Sequence, residues 1–132
     1  MTRIHSGDFL EGSVGQNKWH YYKYVAPASH TSITVELIET ETEGYLQLYG
    51  LEGAPPELVG AQYSDVEQSP LHNIYTLFDG TEEVDLNFYF GVYGTSLVTL
   101  GTPVPYKIFG KFCFIYFSLL TVPQFTVLLS KQ

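Results

Sequence analysis

The sequence predicts an all-β domain, an antiparallel, jelly-roll-like β-sandwich of about seven to nine strands. Three observations predict it. First, Leu86–Gly94 alternates cleanly: Leu86, Phe88, Phe90 and Val92 are apolar, while Asn87, Tyr89, Gly91 and Tyr93 are polar, amphipathic or without a side chain. Period-two alternation in aromatic and β-branched residues marks a half-buried strand. Second, short runs of this kind recur along the chain between turn signals, and no helix-period segment exceeds about two turns. Third, aromatic residues make up 16% of the chain and charged residues only 15%. Tyr covers area on a sheet and keeps its hydroxyl wet, and a quarter charged is the usual share.

Taken in order, residues 1–11 are a polar lead-in and 12–110 the sandwich. Gly12–Gly15 reads as a short edge strand and Gly15–Lys18 as a turn. Trp19–Ala26 is a strand, with Tyr22 and Tyr24 facing in and Lys23 facing out. Thr31–Thr40 follows, its Ile33, Val35 and Leu37 on one face and Thr34 and Glu36 on the other. The acids of Glu39–Glu43 repel one another and end it. Tyr45–Tyr49 directs Leu46 and Leu48 inward, and Pro55-Pro56 stops any ladder beyond it. Leu58–Gln62 is expected as a short strand, Tyr63–Pro70 as exposed polar chain, and Leu71–Phe78 as a strand. After an acidic loop, Asp79–Asp85, come Leu86–Tyr93, Leu97–Leu100 and Val104–Phe109.

The tail, 111–132, departs from this style. Phe112 to Ser130 holds no charged side chain over 19 residues. As a helix it would measure about 28 Å, close to the hydrocarbon thickness of a bilayer. Pro123 in its middle and its Phe, Leu and Val content favour two last strands, Phe112–Leu120 and Phe125–Leu129. A membrane segment and a tail foreign to the domain stay open beside that reading.

Charge narrows the partners. The net charge is −8, and all 14 carboxylates lie between Asp8 and Asp85. An acidic body with six Lys and Arg argues against nucleic acid, whose backbone needs clustered cations. A single cysteine, Cys113, excludes an intrachain disulfide. Met1–Asp8 lacks the apolar core of a signal peptide, so the chain reads as intracellular or as one segment of a longer protein.

Two candidate sites remain. In the acidic loop, Asp79, Glu82, Glu83 and Asp85 could converge on Ca²⁺, which takes six to eight oxygens. The spacing is not that of an EF-hand, and a solvated loop that blocks edge pairing explains it as simply. The second set is aromatic: Trp19, Tyr21, Tyr45, Tyr49, Tyr89 and Tyr93. Turned outward, these rings would make a flat face for a protein or a glycan; ordinary sheet packing is the plainer account. No zinc spacing, nucleophile elbow, phosphate loop or dinucleotide fingerprint occurs, so no enzyme is expected.

Three stretches together resemble the bacterial pre-peptidase C-terminal domain family. Gly12–Val25 looks like its opening turn and aromatic strand. Gly44–Tyr49, with Pro55-Pro56 and Tyr63-Ser-Asp65, is similar to its Leu-Tyr strand and the Pro and Asp that follow. Tyr89–Gly94 with Tyr106-Lys-Ile108 is like its closing strands. The resemblance implies a jelly-roll-like sandwich appended to secreted or surface proteins, acting in adhesion, secretion or folding, sometimes with Ca²⁺. Glu43-Gly44-Tyr45 stands where the family often has aspartates, a departure that bears on calcium. The expectation is therefore a non-catalytic extracellular, cell-surface or lumenal binding module. Its alternatives are an ectodomain anchored by 112–130 and a calcium-regulated module.

Overall fold

The computed structural model describes residues 1–27, 30–77 and 84–114. Among the described residues nine strands form two sheets: β1 (Thr2–Arg3), β2 (Phe9–Val14), β3 (Trp19–Ala26), β4 (His30–Glu39), β5 (Leu46–Glu52), β6 (Tyr63–Asp65), β7 (Leu71–Leu77), β8 (Leu86–Gly94) and β9 (Val104–Phe114). One sheet runs β1-β3-β8-β5-β6, the other β2-β9-β4-β7. All pairs are antiparallel except β1 with β3.

Alternation explains how the sheets clasp. Tyr22, Tyr24, Leu46, Leu48, Phe88, Phe90 and Val92 point inward from the first sheet and are buried. Val14, Ile33, Val35, Leu37, Ile74, Val104, Tyr106 and Ile108 meet them from the second. Removing a buried ring such as Phe90 would cost about 3–5 kcal/mol, because neighbours close a cavity only in part. Within this core the Tyr22 and Tyr106 hydroxyls share a hydrogen bond of 2.7 Å, and Tyr106 also meets His20 Nδ1 at 2.6 Å. Burial first, and the bond to Tyr22 second, push the Tyr106 phenol far above its ordinary range.

Several expected boundaries move. The lead-in holds β1 and the start of β2: Phe9, Leu10 and Glu11 pair with Phe109, Ile108 and Lys107. Leu58–Gln62 is not a strand. Val59 is 88% exposed, and pairing with β5 begins only at Tyr63, so the strand sits in a stretch expected to be plain exposed chain. Leu97–Leu100 is a turn as well. Val98 donates its N–H to Thr95 O at 3.1 Å and alone of the four residues is buried. β9 runs past the expected end, since Phe112 and Cys113 pair with Ile33 and Ser32. The rest of the tail lies outside the described residues. Among those described, no helix is long and apolar enough to cross a membrane.

Two turns are locked together at one end. A Cβ built on Gly94 would lie 2.1 Å from the Gly15 carbonyl oxygen, so only glycine lets these backbones meet. Asn17 N–H donates to Gly94 O at 2.7 Å, and Gly94 N–H to Lys18 O at 3.1 Å. This contact fixes where β3 starts relative to where β8 ends.

Candidate functional site

Strand register gathers the outward aromatics. In the first sheet Trp19 lies opposite Tyr93, and Tyr93 opposite Gln47; Tyr21 lies opposite Gly91, and Gly91 opposite Tyr49. Gly91 leaves a hollow in the middle of this face. A Cβ there would meet Trp19 ring carbons at 2.6 and 2.8 Å and a Tyr21 ring carbon at 3.1 Å, so both rings lean over the glycine. Trp19 stacks on Tyr21 with centroids 5.2 Å apart and planes 8° apart. It meets Tyr49 at 5.4 Å and Tyr93 at 4.9 Å, both tilted. Such ring pairs add about 0.5–1.5 kcal/mol each beyond their buried area.

The polar tips of these rings are engaged. Tyr93 donates to Asn17 Oδ1 at 3.0 Å, Tyr49 to Gln47 Oε1 at 2.6 Å, and Tyr21 to the Pro56 carbonyl oxygen at 3.0 Å. Burial, then the charge of Glu57, raises the Tyr21 phenol; burial, then Tyr93, raises Tyr49. Both therefore stay neutral donors at physiological pH.

The other two aromatic candidates stand apart from this group. Tyr89 is on the same face but lies beside Lys23, whose Nζ is 5.8 Å from the ring centre. Tyr45 precedes β5 and packs against the core, while its carbonyl accepts the N–H and Oγ1 of Thr95. Of the acidic set, Asp79, Glu82 and Glu83 lie outside the described residues, and Asp85 is exposed just before β8. Among the described residues, no group of three His, Cys, Asp or Glu side chains is placed to hold a metal.

A second cluster escapes sequence reasoning altogether. Glu39, expected among mutually repelling acids, is buried at the end of β4. Its carboxylate accepts from Thr42 Oγ1, from the N–H groups of Gly44, Tyr45 and Leu46, and from His72 Nε2 at 2.7 Å. His72 Nδ1 faces Asp65 Oδ1 at 3.4 Å, and Asp65 Oδ2 accepts the Asn73 N–H at 2.8 Å. An imidazole between two carboxylates donates at both nitrogens only as the cation. Burial alone would lower the His72 pKa, but the bond and charge of Glu39, then Asp65, raise it. Burial likewise works to raise Glu39, and the bonds from His72, Thr42, Tyr45 and Leu46, His72 first, outweigh that and lower it. This clasp ties the β4 end to the β5 start and to β6.

Comparison with known proteins bears on the fold. No protein-family model and no curated protein matches the chain. The solved structures similar to it include the following two. One is the pre-peptidase C-terminal domain of a collagenase from Bacillus anthracis, with a TM-score of 0.59 and 14% identity, covering 83% of this chain and 93% of that one. The other is a periplasmic inhibitor of g-type lysozyme from Aeromonas hydrophila, with a TM-score of 0.62 and 15% identity, covering 84% and 94%. The chain has the all-β sandwich fold of a pre-peptidase C-terminal domain.

Proposed function

We propose that this chain is a non-catalytic accessory module that works outside the cytoplasm and binds a protein partner through the aromatic face of the β3-β8-β5 sheet. One observation carries the reading: three part-exposed rings, from Trp19, Tyr21 and Tyr93, are gathered over Gly91, with Tyr49 buried beneath their edge. Rigid Tyr and Trp rings supply contact area at low entropy cost, and they are enriched where interfaces carry their binding energy.

The likeness to a lysozyme inhibitor supports a protein rather than a glycan as ligand, and its periplasmic setting supports an exported location. An acidic chain of net charge −8 favours a basic partner through steering. The acidic loop as a Ca²⁺ site and residues 112–130 as an anchor are separate proposals that the aromatic face does not need.

The test uses the chain's single tryptophan, which lies at the centre of the face. Emission of Trp19 is followed while g-type lysozyme, and separately chitohexaose, is titrated into the full chain. A saturable change with the protein, absent with the saccharide and weakened by Tyr93→Ala, is the expected result. A saccharide that saturates the signal while the protein leaves it flat would replace the protein by a glycan.

A further inference from the structure

One hydroxyl of the aromatic face is already engaged by a prolyl carbonyl of the chain itself. Pro55-Pro56 lies in the loop between β5 and β6; Pro55 is exposed and Pro56 is buried. The Tyr21 hydroxyl donates to the Pro56 carbonyl, with Trp19 stacked on the same ring. Prolyl carbonyls are free acceptors, because a proline-rich chain forms no internal hydrogen bonds, and its preformed helix loses little entropy on docking. Aromatic-lined grooves that recognise such chains exploit this preformed helix.

The loop fills one end of the row only. It leaves β5 after Glu52, which pairs with Phe88, and returns as far as Tyr21. Trp19 and Tyr93 lie one register step beyond, toward the opposite end of the strands. There the exposed Asn17, held by the Tyr93 hydroxyl, adds an amide NH₂ group as a further donor.

Resting on the protein-binding reading above and narrowing it, we propose that this face is a proline-recognition surface. Pro56 fills its first position from within, and a proline-rich segment of a partner protein takes the next, over Trp19 and Tyr93.

The experiment titrates a ten-proline peptide into the intact chain and follows Trp19 emission, with a Gly-Ser peptide of equal length as control. A saturable change with the proline peptide alone is expected. Tyr93→Ala should weaken binding roughly tenfold or more, and Tyr75→Ala, on the other sheet, should leave it unchanged. Far-UV circular dichroism checks that each variant is folded, and where Tyr93→Ala is not, Asn17→Ala takes its place with the same expected direction. No change up to about 2 mM peptide overturns the proposal. If g-type lysozyme still alters the emission in that case, protein binding stands and only the proline specificity falls. Equal binding by wild type and folded Tyr93→Ala overturns the placement.

Discussion

The aromatic face and the Glu39–His72–Asp65 clasp both gather side chains from distant strands, but they hold together by opposite physics. The face works by area. Trp19 touches Tyr21, Tyr49 and Tyr93, and each contact is non-directional, so losing one ring leaves the others packed. The clasp works by direction. Five donors converge on one buried carboxylate, and a buried imidazole depends on it. Redundant contact suits a surface that must accept a partner. A directional set suits a joint that must have one geometry.

The contrast can be sharpened by substitution, starting with the clasp. Glu39→Ala should cost about 3–5 kcal/mol, since it strands buried His72 and three backbone N–H groups. Urea denaturation checks this. A loss below about 1 kcal/mol would place the carboxylate in contact with water and end the distinction.

The same joint sets a pH window. His72 has a raised pKa in the fold, so its contribution is complete below its ordinary value near 6.5 and is lost as pH rises through the folded value. Glu39 has a lowered pKa, so its contribution is complete above its ordinary value near 4.5 and is lost as pH falls through the folded value. The pair therefore stabilises most between those two ordinary values. Stability measured against pH should fall on both sides of that window, and His72→Gln should flatten its alkaline side.

Gly91→Ala comes next in size. The new methyl would sit 2.6 Å from a Trp19 ring carbon that three other rings confine. Overpacking of this kind costs about 1–3 kcal/mol, and a shift of Trp19 emission should accompany it. Tyr93→Ala should cost about 1 kcal/mol, the scale of one ring contact. The smallest effect belongs to Tyr75→Ala. That ring is 56% exposed on β7, opposite Thr34, and its removal should stay within about 0.5 kcal/mol by the same denaturation measurement.

The two regions also differ in how far the sequence discloses them. Alternation along Trp19–Ala26 and Leu86–Gly94 states which residues share a face, so the shared side of Trp19, Tyr21, Tyr89 and Tyr93 was legible, while Tyr49, expected outward, is buried by its neighbours. Register was not. Nothing local says that Trp19 stands opposite Tyr93 while Tyr45 drops out to cap the turn beside Glu39. The clasp is invisible for a stronger reason. Glu39 opens a run of acids that reads as solvated, and its partner His72 lies 33 residues away. Only the pairing of β4 with β7 brings the two together. The one local hint is Thr42, three residues after Glu39 and followed by Gly44, a spacing that suits a turn closed on its own carboxylate. Leu97–Leu100 and Leu58–Gln62 mislead in the opposite way: each is apolar enough for a strand, yet Leu97–Leu100 closes a turn and the second segment reaches β5 only at its last residue, Gln62.

The crossing of Gly94 against Gly15 sets a limit on how this protein can evolve. With 2.1 Å between a would-be methyl and a carbonyl oxygen, no other amino acid fits unless the opposing turn between β2 and β3 is rebuilt at the same time. Across a lineage, that glycine should change only together with the length of the segment facing it.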